Sequence, residues 1–272
     1  MINGPTCAGI FHSISAIHYV STSGAVTGTV IQNFDPTCGD LGIVVENDDA
    51  WPVNVELANN VIRNLDPYGT AIEVTSGPSS SRIGIQIHDN LVSNVGEALS
   101  SSTNGNGVWV YGNSLQTDPF QSDTVVLGDA AVVDHNDITV SNNAVGSNPA
   151  AIAVTGNNAV ITGNNITVDG TPATGIRVTG NHVKVWSNKI TGNAAGSGGL
   201  AFAMAIGTTS ASADVEWNSI DDFTFGIEMS CKSATVVSNT ILDSTTGISD
   251  VPAGSSLSNN FVNDTTLQSP CP

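Results

Sequence analysis

The chain has 272 residues, of which 24 are acidic and 6 are basic, and its formal net charge is −18. This charge argues against a nucleic-acid partner, because phosphate binding requires patches of Lys and Arg, and no run of 18 apolar residues is present that could span a membrane. Only 11% of the residues are charged while Ser, Thr, Asn and Gly are abundant, so we expect an extracellular or cell-surface protein, although no signal peptide is visible at Met1–Pro5.

The first apolar residues allow two interpretations. Ile10, Ile14 and Ile17 have the spacing of one face of a helix, which would cap the end of the fold. Alternatively, Ala16–Tyr19 forms a strand like those that follow, and this interpretation is slightly favoured. Residues 1–20 are therefore expected to form a cap or a shortened first repeat, as in a piece of a longer chain.

A repeated pattern extends over most of the sequence. The stretch from Ala151 to Thr191 contains two copies of a GIxV-like strand, each followed by a polar turn and the motif VxxNxI. Apolar residues at every second position, in short runs between Gly, Asn and Thr turns, indicate strands. The motif asparagine recurs, with Thr29 in the same position, at Asn60, Asn90, Asn113, Asn136, Asn164, Asn188, Asn218, Asn239 and Asn260. These positions are spaced by about 26 residues on average, the length of one coil of a parallel β-solenoid.

The GIxV and VxxNxI units resemble the right-handed parallel β-helix repeats of the pectate-lyase-like superfamily, over nearly the whole chain. The resemblance implies an all-β, single-domain solenoid over residues 1–272, with about ten coils, three short parallel sheets and a C-terminal tail at residues 262–272. The repeated asparagine is expected to point inward and to bond its neighbours from coil to coil. Because the superfamily includes lyases, hydrolases, epimerases and phage tailspikes, the resemblance leaves the function open. The G-H-G, R-I-K and D-P-H-E segments of its known enzymes are absent, so no catalytic set is carried over.

Acidic residues concentrate near the GIxV strands of the N-terminal half. Glu73 lies on an outward strand position, and Asp48 and Asp49 follow the preceding strand. An inverting glycosidase needs two carboxyl groups about 6.5–9.5 Å apart, which corresponds to one or two coil spacings, so Glu73 with Asp48 or Asp49 is the predicted catalytic set. Glu97 and Asp123 belong to the same acidic region, but the strand pattern places Glu97 inward, which points to a slipped register or an unusual role. Calcium binding by these oxygens and a solvated acidic rim are the alternatives.

A second face is predicted two and four residues before each repeated asparagine. Only 5% of the residues are aromatic, yet several fall on this face. Exposed aromatic rings among polar groups suit the apolar faces of sugars, although aromatic residues also favour strands in general. Together with Arg177, the only basic residue of the outward GIxV column, the predicted substrate-binding residues are His88, Trp109, Tyr111, Asp134 and Trp186.

The four cysteines lie in pairs toward the two ends of the chain. We expect disulfides between Cys7 and Cys38 and between Cys231 and Cys271, each holding a terminal segment to its neighbours. An even number of cysteines at the ends favours an oxidising compartment, and no close pair resembles a zinc site.

Three functions remain open on these observations. The first is a secreted polysaccharide hydrolase or lyase that acts through carboxylates near Glu73, with calcium as a possible cofactor. The second is a non-catalytic carbohydrate-binding or adhesive module that uses the aromatic face. The third is a structural part of a larger assembly, and the oligomeric state is left open. The expected partner in the first two cases is a polysaccharide or glycan.

Overall fold

The computed structural model describes residues 1–4, 14–34, 40–49, 51–65, 68–76, 83–102, 108–117, 123–142, 148–170, 173–192, 202–207, 212–263 and 271. Within these ranges all regular structure is β-strand, and every pairing between strands is parallel. The strands form three sheets, which we call A, B and C, and the chain passes through B, C and A in turn to complete one coil. The predicted all-β parallel solenoid is therefore confirmed.

Sheet B contains the GIxV strands. Its strands in spatial order are β2 (Ile14–Val20), β5 (Asp40–Asn47), β8 (Thr70–Ser76), β11 (Glu97–Ser102), β14 (Val125–Leu127), β17 (Ala150–Val154), β20 (Thr174–Val178), β23 (Phe202–Ile206), β26 (Phe225–Glu228) and β29 (Thr246–Ser249).

Sheet C contains the strands that lead into the repeated asparagine. They are β3 (Gly24–Thr27), β6 (Val53–Ala58), β9 (Ile83–His88), β12 (Val108–Tyr111), β15 (Val132–Asp134), β18 (Val160–Thr162), β21 (Val183–Trp186), β24 (Ala213–Glu216), β27 (Thr235–Val237) and β30 (Ser256–Ser258).

Sheet A follows the asparagine in each coil. Its strands are β1 (Ile2–Asn3), β4 (Val30–Gln32), β7 (Val61–Arg63), β10 (Leu91–Ser93), β13 (Ser114–Thr117), β16 (Asp137–Asn142), β19 (Asn165–Gly170), β22 (Lys189–Thr191), β25 (Ser219–Asp221), β28 (Thr240–Leu242) and β31 (Phe261–Val262).

The core is a set of columns of aliphatic side chains that run along the solenoid. One column comes from the middle of the sheet A strands, and each of its members is at most 2% exposed: Ile31, Ile62, Val92, Leu115, Ile138, Ile166, Ile190, Ile220 and Ile241. The polar residues between them face outward, so the period-two pattern in the sequence reflects an inside and an outside. Each coil buries its apolar face only by stacking on its neighbours, as expected of a solenoid.

The repeated asparagines form a ladder between sheets C and A from Asn60 to Asn260, and its members from Asn60 to Asn239 are buried. From Asn60 to Asn239, the backbone N–H and the side-chain nitrogen of each asparagine both donate to the Oδ1 of the next one, at 2.9–3.0 Å. The side-chain nitrogen also donates to a carbonyl oxygen of the preceding coil at 2.8–3.0 Å. The predicted inward ladder is confirmed, and it satisfies backbone groups that the turn would otherwise leave unpaired.

The residue before each ladder position lies in the left-handed backbone region. The φ angle is between 52° and 64° at Gly28, Asn59, Asp89, Gly112, His135, Gly163, Ser187, Trp217, Ser238 and Asn259. One left-handed residue turns the chain out of sheet C and presents the following asparagine to the interior. Glycine adopts this conformation without strain, whereas a bulky residue such as Trp217 does so at a cost.

The N-terminal segment is a strand of the solenoid. Strand β2 pairs with β5 so that Ile17 lies beside Ile43 and His18 beside Val44. The strand interpretation of Ala16–Tyr19 is confirmed, and the alternative of a capping helix is wrong, because alternate residues of this segment continue the columns of sheet B.

The C-terminal disulfide prediction is confirmed. Cys231 and Cys271 are joined, with Cα atoms 5.6 Å apart. Cys7 and Cys38 lie outside the described residues, so their predicted pairing stays a prediction. The described part of the chain contains no helix of the length and apolarity needed to cross a membrane.

Candidate functional site

Two columns of side chains cover the outer face of sheet B. The second outer column is the outward GIxV column predicted from the sequence. It contains Glu73, which pairs with Val44 on one side and with Ser100 on the other. The first outer column lies nearer the start of each strand. Glu97 pairs there with Thr70, and the pairing of Leu99 with Val125 two residues later places Asp123 opposite Glu97 on the next coil.

The GIxV-like pattern in the sequence predicts Ala98 and Val125 as the outward residues of their sheet B strands, and this prediction is wrong. Ala98 and Val125 are fully buried, and Ser100 and Val126 occupy the second outer column instead. Ala98 holds the same place in its coil that Gly42 holds in an earlier one. A Cβ on Gly42 would collide with the Ala71 carbonyl oxygen and would lie 3.3 Å from the Ile62 side chain.

Only a small residue fits that place, and Ala98 takes it in the Glu97 coil. Leu99 then aligns with Ile72 as the following apolar residue. The register therefore slips relative to the predicted one, and Glu97 is carried to the first outer column rather than into the core.

Three carboxyl groups and one guanidinium gather on this face, and we call Glu73, Glu97, Asp123 and Arg177 the acidic cluster. The Glu97 Oε2 accepts a hydrogen bond from the Thr70 Oγ1 at 3.0 Å. Burial raises the pKa of Glu97 to about 7, with the charges of Asp123 and Glu73 acting in the same direction. Glu97 therefore keeps its proton in mildly acidic solution, where most glutamates have lost theirs.

Asp123 has different partners. Its Oδ1 accepts from the Ala150 N–H at 2.7 Å, and its Oδ2 is paired with the Arg177 Nη2. Arg177 lies two coils further along in the second column, and it reaches Asp123 past the small side chains of Ala150 and Ala153. The Arg177 Nη1 also donates to the Asn148 carbonyl at 2.9 Å. Asp123 is thus a charged, firmly held carboxylate, with its side chain 17% exposed.

Asp48 and Asp49 lie away from Glu73. The strand partner of Glu73 is Val44, and Asp48 is four residues further along the chain, which corresponds to roughly 13 Å in an extended strand. The Asp48 N–H donates to the Ser21 Oγ, and a hydrogen bond to Glu46 and its charge raise the pKa of Asp48. The structure therefore groups Glu73 with Glu97 and Asp123 rather than with the two aspartates.

Metal ligands are not grouped in the described part of the chain. Within the ranges given above, no set of three or more His, Cys, Asp or Glu side chains is placed to hold a metal ion. The calcium alternative thus gains no ligand set from these residues.

The outer face of sheet C follows the predicted register. Strand pairing aligns the residues two before each ladder asparagine in one column: Ala58, His88, Tyr111, Asp134, Thr162, Trp186, Glu216, Val237 and Ser258. The residues four before the asparagine align in the same way, with Trp109 between Gln86 and Val132.

Three rings on adjacent coils of sheet C form one aromatic array. The His88 and Tyr111 rings are stacked, with centroids 4.7 Å apart and planes 7° apart, and the Trp109 and Tyr111 centroids lie 4.6 Å apart. His88 also bonds Glu56 at 3.0 Å and Asp89 at 2.8 Å. Burial lowers the pKa of His88, but these two carboxylates outweigh burial and raise it. The array is thus fixed by both stacking and ionic hydrogen bonds.

Asp134 and Trp186 lie outside this array. Asp134 pairs with the Nδ1 of His135. Trp186 is two coils further on, beyond Thr162, with the Lys184 Nζ 4.9 Å from its ring centroid. Asp134 is still the strand partner of Tyr111 on the next coil, so the structure brings together four of the five residues predicted on this face, and Trp186 lies apart.

A groove borders the aromatic array, and we call it the sheet C groove. Its volume is about 410 Å³. It is lined by Gly24, Asn54, Val55, Glu56, Gly84, Ile85, Gln86 and Trp109. Neither Gly24 nor Gly84 has room for a side chain, since a Cβ on each would collide with Tyr19 and with Asn54, respectively.

Sequence reasoning missed parts of both sites. Glu97 was marked only by its misfit to the strand pattern, and that misfit was the usable signal. Nothing in the sequence joins Asp123 to Arg177, which are 54 residues apart. The glycines of the groove resemble ordinary turn residues until their neighbours on adjacent coils are known.

No protein-family model matches the chain, and no curated protein matches it in a sequence comparison. The likeness to the pectate-lyase-like superfamily therefore consists of the parallel solenoid and its asparagine ladder. Fold and geometry define the class as a parallel β-solenoid protein with an acidic cluster on one face and an aromatic groove on another.

Proposed function

We propose that the protein is a secreted or cell-surface polysaccharide hydrolase of the pectate-lyase-like superfamily, and that its reaction takes place at the acidic cluster on sheet B. The observation that supports this most directly is the contrast between Glu97 and Asp123. They are carboxyl groups on neighbouring coils, one protonated near neutral pH and one paired with a guanidinium. Two carboxyl groups whose surroundings separate their protonation states are the mark of acid–base catalysis.

Glu97 is the proposed general acid. Because burial raises its pKa to about 7, it holds a proton that it can donate to the glycosidic oxygen as the bond to the anomeric carbon breaks. The Thr70 hydroxyl orients its carboxyl group at 3.0 Å. General acid catalysis of this kind contributes about 10²–10⁴-fold to a rate.

Asp123 is the proposed charged partner, with Glu73 beside Glu97 on the other side. In the overall reaction one water adds across the glycosidic bond: its hydroxyl goes to the anomeric carbon, and its second proton replaces the one that Glu97 gave to the leaving oxygen. A carboxylate stabilises the positive charge that develops on the sugar ring in the transition state.

Arg177 is a positioning residue in this proposal. Its guanidinium holds the Asp123 carboxylate, and a hydrogen bond to the Asn148 carbonyl oxygen holds the guanidinium in place. The Arg177 guanidinium also offsets part of the negative charge of Asp123 and Glu73, and this negative charge makes the ionisation of Glu97 less favourable.

Neutral polysaccharides are the proposed substrate class. The net charge of −18 and three carboxyl groups at the site would repel polyuronic chains. The Cys231–Cys271 disulfide supports an oxidising, extracytoplasmic location, where such polymers occur.

The test measures the release of reducing ends from neutral and acidic polysaccharides by wild type, Glu97→Gln and a matched control, Glu228→Gln. Glu228 lies in the second outer column of the same sheet, six coils beyond Glu73, and burial also raises its pKa. We expect Glu97→Gln to lose at least about 100-fold of the activity and Glu228→Gln to keep it. Full activity in Glu97→Gln, unsaturated product ends that indicate a lyase, or no cleavage of any polymer would overturn the proposal.

A further inference from the structure

We infer that the sheet C groove is a second glycan-binding site, separate from the acidic cluster, that holds a neutral saccharide against Trp109. The inference goes beyond the proposed hydrolase, because a binding face on sheet C serves equally on a protein that cleaves nothing. The groove combines a concave shape, an exposed indole ring and polar side-chain atoms that have no partner among the described residues.

The groove lies on the outer face of sheet C at the level of Asn54 and Gly84, which are strand partners. Because Gly84 has no side chain, the Asn54 side chain extends across it and forms part of the groove wall. The resulting volume of about 410 Å³ falls within the range of about 300–1,000 Å³ found for small-ligand sites. A saccharide unit would enter here at the level of strands β6, β9 and β12.

Trp109 supplies the apolar wall. Trp109 is 46% exposed, whereas tryptophan residues are on average highly buried. Tyr111 contacts it from one side with ring centroids 4.6 Å apart, and Tyr111 is in turn stacked on His88. The orientation of the indole is thus fixed before any ligand binds, which lowers the entropy cost of binding.

The polar wall consists of planar groups with unused hydrogen-bonding capacity. Among the described residues, the side-chain amide of Asn54 and the Nε2 of Gln86 have no hydrogen-bond partner, while the Gln86 Oε1 is the acceptor for the Tyr111 hydroxyl at 3.5 Å. The Glu56 Oε1 is held by His88 at 3.0 Å, which leaves the Oε2 for a ligand. Amide and carboxylate groups of this kind can donate to and accept from adjacent sugar hydroxyls.

Charge selects among sugars. Among the described residues, the lining contains Glu56 and no basic residue, so a uronic acid or a sulfated sugar would meet a carboxylate without a counter-charge from this part of the chain. A neutral saccharide has an apolar ring face for Trp109 and hydroxyl groups for Asn54, Glu56 and Gln86. The groove therefore fits a neutral glycan and disfavours an anionic one.

The test is native affinity electrophoresis of the whole protein in gels that contain glucomannan, mixed-linkage β-glucan, galactan, arabinoxylan, polygalacturonate or alginate. We expect retardation by at least one neutral polymer, a loss of affinity of at least tenfold in Trp109→Ala and in Gln86→Ala, and a smaller loss in Trp109→Phe. Trp217→Ala is the matched control, since Trp217 is 64% exposed at a turn four coils away from the Trp109 coil. Thermal melting of each variant shows whether it is folded.

Several outcomes would overturn the inference. They are no retardation by any neutral polymer, retardation that is equal in wild type and folded Trp109→Ala, or retardation by the acidic polymers alone. The outcome is independent of the hydrolase proposal, because Glu97→Gln should bind like wild type.

Discussion

Glu97 and Asp123 hold equivalent positions on neighbouring coils of sheet B, yet only Asp123 is paired with a guanidinium, that of Arg177. Glu97 has a hydroxyl donor, Thr70, at 3.0 Å, and burial raises its pKa to about 7. Since each coil can place a different residue at the same column position, a solenoid can set two carboxyl groups side by side and surround each one differently. This difference separates the proposed acid from its charged partner.

The burial of Glu97 makes stability depend on pH. Its pKa in the folded protein, about 7, lies above its ordinary value of 4.5, so the folded state retains a proton that the unfolded chain has released. The resulting stabilisation is complete below the ordinary pKa and is lost as the pH rises through 7. We expect Glu97→Gln to remove this dependence, and its stability relative to wild type to be higher at pH 8 than at pH 5 by up to about 3 kcal/mol.

Urea unfolding at these two pH values, followed by circular dichroism, measures the difference for both proteins. Glu228→Gln is the control for the general loss of a carboxyl group from this sheet. If wild type and Glu97→Gln show the same change in stability between pH 5 and pH 8, the assigned pKa is wrong.

The buried ladder should be far more sensitive to substitution than an exposed one. Replacing Asn164 with Ala removes the acceptor of the Asn136 N–H and the donor to the Val133 carbonyl, both inside the protein. Each buried polar group left unpaired costs about 1–3 kcal/mol, so we expect a loss of about 3 kcal/mol or more in the free energy of unfolding.

Asn64 offers a matched comparison for the ladder. It is exposed and links Asn33 and Asn94 through side-chain bonds of 3.0 and 2.9 Å. Its φ is 54°, so Asn64→Gly removes the bonds without straining the backbone, and we expect a cost below about 1 kcal/mol. Equal losses from Asn164→Ala and Asn64→Gly in chemical denaturation would contradict the role given to burial.

At the left-handed position before each ladder residue, a substitution that adds a Cβ should lower stability, and one that removes it should not. Gly28 has a φ of 61° and no heavy atom within 4 Å of where its Cβ would lie, so Gly28→Ala introduces only backbone strain, about 1–2 kcal/mol. The reverse change at the same turn position, Ser187→Gly, relieves strain at a φ of 53° and should be neutral or stabilising. Thermal unfolding compares the two, and a higher melting temperature for Gly28→Ala would exclude the proposed cause.

The Cys231–Cys271 disulfide should protect the last coils selectively. It closes a segment of 40 residues, for which a crosslink is worth up to about 4 kcal/mol. We expect the double variant Cys231→Ser/Cys271→Ser to lose hydrogen-exchange protection in β28 and β29, with β5 and β8 unchanged. Uniform loss along the solenoid would show instead that the molecule unfolds as one cooperative unit.

The fold was predictable because its determinants repeat. Three features of the sequence indicate the same coil length. They are the alternating apolar residues, the small residue before each GIxV core residue, and one asparagine per coil, for example Asn164 and Asn188. The ladder could be inferred because an inward asparagine has few other ways to satisfy its amide. The register of sheet C followed from the ladder, since Trp109 and Tyr111 are counted back from Asn113 over a short distance.

The candidate sites were less predictable because they depend on contacts between coils. Counting back from the ladder to sheet B crosses a turn of variable length, and this is why the positions of Ala98 and Val125 were wrong. The proposed role of Glu97 depends on its burial, which a pattern of residue types does not report. Similarly, Arg177 reaches Asp123 only because Ala150 and Ala153 are small, a condition spread over three coils.

Each step of the ladder is made by the same hydrogen bonds between asparagine side chains, so the molecule can be divided into interchangeable units. Removing residues 137–164 would excise one complete unit and would seat Asn136 directly on Asn188, with the same bonds as before. The same excision would bring Arg177 one step nearer to Asp123. Surface charges in such a protein can therefore be rearranged by changing its number of turns, while its interior packing stays as it was.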